Sequence, residues 1–114
     1  MRPANIELIY DADCPNVAAA RNQLARATQT LGFEPSWKEW ERSEFGAPEY
    51  VRQYGSPTIL VNGQDVAKGD NPDAGCCRIY IRNSGALRGV PSTEQIETSL
   101  RWALNENTSN VTKL

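Results

Sequence analysis

Two apolar patterns of different period stand side by side near the start of the chain. IELIY (Ile6–Tyr10) is short and mostly apolar, as in a strand buried by its neighbours. From Pro15 to Leu31, the residues Val17, Ala20, Leu24, Ala27 and Leu31 recur at spacings of three and four, which is one face of a helix, and the many alanines raise helix propensity. Pro15 suits the first helical turn and Gly32 the position just past the end. A strand feeding a helix that returns to a second strand implies a parallel pair joined by a right-handed crossover. The rest of the fold has to be built onto that unit.

The second strand of the unit is expected within FEPSWKEWE, which follows Gly32. Trp37 and Trp40 have opposite parity, so one alternating face does not account for both. Pro35 pushes this strand toward a sheet edge or an irregular start. PEYVRQYG reads as a short helix with Pro48 in its first turn and Gly55 closing it. TILV-NG-QDV is the strongest hairpin signal, because Asn62-Gly63 fits a type I′ turn. Residues 65–76 form a polar loop whose carboxylates lack the glycine position and closing glutamate of a calcium loop. CRIYIR then resumes as a strand, with Cys77, Ile79 and Ile81 inward, alternating with Arg78, Tyr80 and Arg82; NSG turns the chain after it. In PSTEQIETSLRWAL, Ser92 and Gln95 are spaced as a capping box, and Ile96, Leu100, Ala103 and Leu104 share one face. The expected order is β-α-β-α-β-β-α: an α/β sandwich on a mixed four-stranded sheet, in one domain over residues 1–104. Residues 105–114 lack periodicity and are expected to be a flexible polar tail.

Composition narrows the function classes. A net charge of −2 with both signs interspersed gives no footprint for nucleic acid. No apolar stretch approaches the ~20 residues of a membrane span, and MRPANIELIY lacks the apolar core of a signal peptide, so a cytoplasmic setting with reduced thiols is expected. The chain has no histidine, which excludes Ser-His-Asp triads, Cys-His nucleophiles and His-bearing zinc sites. Three cysteines are an odd number for a disulfide framework. No cofactor is expected.

Cys14 in DADCPNV falls at the expected N-cap or first turn of the first helix. Unpaired N–H groups there favour a thiolate, while Asp11 and Asp13 oppose it by like charge. It is either a reactive thiol or a small packed hydrophobe. Val17 stands where a C-x-x-C motif would place its second cysteine. Cys76 and Cys77 are adjacent and could form a vicinal disulfide, resolve a mixed disulfide on Cys14, gather with it around Hg²⁺, Cu⁺ or Zn²⁺, or simply pack.

IELIYDADCPN, GSPTILVNGQDV, CCRIY and GALRGVPSTEQIETSLRWAL, in that order, resemble a group of small bacterial thioredoxin-like proteins, some of them labelled alkylmercury-lyase-like. The resemblance spans about residues 5 to 104. It implies a thioredoxin-like fold in which Pro57 is cis and faces Cys14, and it points to Cys14, Pro57 and Cys77. This chain has Val17 where such proteins commonly carry His. The activity expected is monothiol redox chemistry on a small thiol or protein disulfide, with resolution by an external thiol or by Cys76 or Cys77. Soft-metal or organomercurial binding, and a non-catalytic interaction module, are the alternatives.

Overall fold

A computed structural model of the chain describes residues 4–67, 80–81 and 87–112. Its centre is β1 (Ile6–Tyr10), which pairs in parallel with β2 (Lys38–Glu41) on one side and antiparallel with β3 (Thr58–Val61) on the other. β4 (Gln64–Asp65) completes a mixed four-stranded sheet in the order β2-β1-β3-β4. The architecture is α/β with two helices, α1 (Val17–Leu31) and α2 (Thr93–Thr112), as the alternating patterns imply. No helix among the described residues is long and apolar enough to cross a membrane.

The period of two along β1 sorts the core into two layers. Ile6 and Leu8, with Ile59 and Val61 of β3, meet Ala20, Leu24 and Ala27 of α1 and Ile96, Leu100 and Ala103 of α2. Ile9 and Leu60 point the other way, onto Ala47 and Val51. The side chains of Leu8, Leu24, Ile59 and Leu100 are fully buried, each worth roughly 1.5–3 kcal/mol of transfer free energy. The two tryptophans of opposite parity are thereby explained: Trp37 packs on the helical layer and Trp40 on the opposite one.

Local sequence sets most boundaries. Gly32 (φ 72°) ends α1 in the left-handed conformation, and Phe33 N–H donates to Thr28 O at 2.9 Å. Asn62 (φ 52°) and Gly63 (φ 81°) both take positive φ, as the type I′ hairpin requires. Asn62 also ties the hairpin to the start of β1, its N–H donating to Asn5 O at 2.7 Å. The capping box at α2 forms: Ser92 N–H donates to Gln95 Oε1 and Gln95 N–H to Ser92 Oγ, both at 3.0 Å. β2 is a sheet edge that starts only at Lys38, beyond Pro35.

Four sequence readings change. PEYVRQYG contains a 3-10 helix, Glu49–Gln53; Pro48 (ψ 151°) precedes it in an extended conformation, and Tyr54 rather than Gly55 ends it. CRIYIR is described at β5 (Tyr80–Ile81), which pairs with an unanticipated β6 (Leu87–Arg88) in a separate two-stranded sheet. Tyr80, on the parity read as outward with Arg78 and Arg82, is fully buried, because its phenol has a carbonyl to donate to, Pro57 O. The α2 backbone runs to Thr112, past the periodic stretch and through residues read as tail. The loop from residue 68, Cys76, Cys77, Arg78, Ile79, Arg82 and the NSG turn lie outside the described residues.

The second layer is small and is held by a polar clasp. Glu7 on β1 is 4% exposed, and its Oε2 accepts from Trp40 Nε1 at 2.8 Å and from the Tyr50 hydroxyl. The hydrogen bond to Glu7, followed by burial and the charge of Glu7, pushes the Tyr50 phenol from 10.0 up to about 12. A raised pKa means that the neutral phenol is the stabilising form. Its contribution is complete below pH 10 and is lost as pH rises through about 12. We therefore expect stability to decline across that interval in alkaline denaturation, with the Tyr50→Phe protein showing a shallower decline. Equal slopes for the two proteins would contradict the clasp.

Candidate functional site

The antiparallel register Ile9↔Thr58 brings the segment leaving β1 beside the segment entering β3. Asp11 to Cys14 form a turn closed by Cys14 N–H to Asp11 O at 3.0 Å, and Asp11 N–H donates to Ser56 Oγ at 2.8 Å. Cys14 and Pro57 therefore belong to two loops stitched together at one end of the sheet. The Ser56-Pro57 peptide is cis. Ser56, Pro57 and Thr58 are all buried, and Thr58 Oγ1 donates to Gly55 O at 2.8 Å. Tyr80 caps this corner from β5 through its hydrogen bond to Pro57 O.

Cys14 is partly exposed, carries no disulfide and packs against the edge of the helical core. It does not sit at the N-cap or in the first turn of α1. Asn16 is the N-cap, and the helix starts at Val17, with Asn16 O accepting from Ala20 N–H at 3.0 Å. Pro15 and Asn16 form a turn ahead of the helix rather than its first turn, so Cys14 lies two residues before the N-cap. The Asn16 side chain makes no cap hydrogen bond, and the first turn of α1 has no acidic residue.

Neighbouring elements grip the Cys14 turn in ways that the local sequence does not show. Arg42 Nη1 donates to both oxygens of the Asp11 carboxylate, at 3.1 and 2.9 Å, and Arg42 N–H donates to Tyr10 O at 2.8 Å. Glu41 accepts from Ser43 and from the Ala12 N–H; these bonds, with the Ser43 hydroxyl contributing most and Arg42 nearby, hold its carboxyl below the usual range. One signal could have revealed the first contact: Asp11 directly follows β1, Arg42 directly follows β2, and the strands are parallel neighbours. On the other side, the Asn16 amide lies against Gly89, so that a Cβ there would fall on top of it. CPN and RGV, some seventy residues apart, are thereby fitted face to face.

Among the surface hollows lined by described residues are two that do not include Cys14. One, of about 520 Å³, lies by the β3–β4 hairpin and is lined by Val61, Gln64, Val66, Ala103 and the largely exposed Trp102. It is at the opposite end of β1 from Cys14. The other, of about 570 Å³, is an open surface of α1 around Ala18, Asn22, Ala25 and Trp37. Beside it Arg21 forks onto Glu39 at 2.8 and 2.9 Å, and Trp37 Nε1 donates to the same carboxylate at 3.0 Å, fixing α1 over the edge of β2. No group of three metal-ligating side chains occurs among the described residues. Cys76 and Cys77 are outside them, so their relation to Cys14 is not part of the geometry.

The Asn16–Gly89 contact has a direct consequence. Gly89→Ala should push the partly exposed Asn16 amide aside at a cost of no more than about 1 kcal/mol. Asn16→Ala in the same chain should recover most of it. Chemical denaturation of the two single variants and the double variant measures the coupling; additive losses would contradict the contact. No family model matches this chain, and no curated protein or solved structure does either.

Proposed function

We propose that this is a thioredoxin-like protein with a single-thiol site, in which Cys14 exchanges with disulfides. The observation that carries the reading is the stitched corner: a partly exposed, unpaired cysteine directly after β1, joined through Asp11 and Ser56 to a buried proline directly before β3. The strand order β2-β1-β3-β4, with α1 and α2 on one face, supports the thioredoxin-like arrangement. So does the run of motifs shared with small bacterial thioredoxin-like proteins.

The chemistry follows from what the corner holds. The Cys14 thiolate attacks one sulfur of a disulfide in line with the S–S bond. A new S–S bond forms to Cys14 as the old one breaks, and the departing sulfur leaves as a thiolate that takes its proton from solvent. The backbone of the Ser56–Pro57 corner offers an ordered surface beside the thiol for the chain or small molecule that carries the disulfide. With Val17 in place of a second cysteine, the mixed disulfide is released by another thiol, which returns Cys14 to its reduced state and forms a disulfide with the departing group.

Oxidised glutathione is a suitable first substrate, because its mixed disulfide is stable enough to map. The reduced protein should acquire one glutathione at Cys14, identified by non-reducing peptide mapping, and the adduct should disappear on adding reduced thiol. Cys14→Ser should lose that adduct while retaining its fold. A wild-type Cys14 peptide that stays unmodified under conditions that modify a free cysteine peptide would remove the exchange reading.

A further inference from the structure

The geometry points to Arg42 as a residue that acts on Cys14 through Asp11, cancelling the carboxylate charge within the turn that carries the thiol; the inference rests on Cys14 being the working thiol. Asp11 is the hub of that turn. Its carbonyl accepts from Cys14 N–H at 3.0 Å, and its own N–H donates to Ser56 Oγ at 2.8 Å. Its carboxylate takes both contacts from Arg42 Nη1. The Arg42 and Asp11 side chains are 17% and 19% exposed, so solvent and salt screen this pair less than an open surface pair. Arg42 also donates its N–H to Tyr10 O, so that it holds the main chain on one side of the hub and the carboxylate on the other.

The charge matters because thiol reactivity belongs to the thiolate, and a nearby carboxylate disfavours that form. Without Arg42, Asp11 would add a full negative charge three residues from the sulfur. Among the described residues, other charged or titratable groups lie on the surrounding elements, including Tyr10 at the end of β1 with Arg21 over its ring. Asp13 is exposed on the turn itself, Glu41 at the end of β2 accepts from Ala12 N–H, and Arg88 of β6 adjoins the Gly89 that abuts Asn16. The Tyr80 phenol is engaged by Pro57 O, the Ser56–Pro57 corner carries no ionisable side chain, and the first turn of α1 has no acid. The backbone of Asp11 anchors the turn, and Arg42 is bonded to its carboxylate.

Two roles for Arg42 are separable by mutation. If it only holds the turn, removing the pair from either side loosens Cys14 alike, and the double variant stays impaired. If it cancels charge, removing Asp11 as well restores the thiol. Alkylation by iodoacetamide, a neutral probe whose iodide is displaced by the thiolate, reads this across pH in the intact chain, with peptide mapping to follow Cys14 alone. Arg42→Gln should slow the reaction at pH 7 on the order of three- to tenfold and move its pH profile to higher pH. Arg42→Lys should retain most of the rate, since a single nitrogen makes both contacts. Asp11→Asn should react at least as fast as wild type, and Asp11→Asn with Arg42→Gln should return to near the wild-type profile.

Superimposable profiles for Arg42→Gln and wild type would overturn the proposal. So would a double variant as slow as Arg42→Gln. Should Arg42→Gln fail to fold, Asp11→Asn alone still decides, because a rate below wild type contradicts charge cancellation. Alkylation reports the thiol whether or not it exchanges with disulfides. A failure here is therefore distinct from a missing glutathione adduct, which would strike the exchange reading itself.

Discussion

The pairing of β1 with β3 is the constraint on which the rest of the molecule depends. β1 is the one strand buried between two others in parallel and antiparallel senses, and its register with β3 is fixed at four positions, Ile6↔Val61 through Ile9↔Thr58. A slip of one residue would turn Ile6 and Leu8 away from the helices and put Glu7 into the helical core. It would also part Asp11 N–H from Ser56 Oγ, since that bond continues the ladder one step past the last pair. Core and site are therefore specified by the same alignment, and a change that loosens one loosens the other.

The two faces of that sheet are finished differently. The helical face is a continuous apolar layer from α1 and α2. The other is covered by the five-residue 3-10 helix and a few side chains, and its order comes in part from Glu7, which accepts from Trp40 and Tyr50. A buried carboxylate with matched donors fixes geometry more than it adds stability, because desolvation offsets much of what the hydrogen bonds return. Here it sets where the chain from Arg42 to Gln53 lies against the sheet. That placement supports the loop whose first residue grips Asp11.

Signals that are local in sequence translate directly into structure. The three-and-four spacing gave α1 with Gly32 just past its end, Asn62-Gly63 the type I′ turn, and Ser92 with Gln95 the cap of α2. Parity told that Trp37 and Trp40 could not share a face, but not that each would serve one of the two layers. Tyr80 defeated the alternation rule because a polar group can be buried wherever a partner waits, and Pro57 O is more than twenty residues away. Cys14 was expected at the N-cap or first turn of α1, but Asn16 takes the N-cap and the helix starts only at Val17. Arg42 and Gly89 were invisible for the same reason as Tyr80. Their roles exist only once distant segments meet.

The distribution of chemistry over the sheet argues for which end does the work. In open α/β sheets, the loops after the carboxyl ends of parallel strands are free to carry side chains into one crevice while the strands stay fixed. β1 and β2 are the parallel pair here, and both of their exits contribute: Asp11 and Cys14 from one, Glu41 and Arg42 from the other. The antiparallel β3 enters at the same end and brings Ser56 and Pro57. At the other end the hairpin closes on Asn5, whose N–H donates to Asn62 Oδ1. Three separate segments thus bring a thiol, a compensated charge pair and an ordered backbone corner to one place. On the proposed exchange reading only Cys14 among them needs exposure, and the carbonyl of Asp11 holds its turn by accepting from Cys14 N–H.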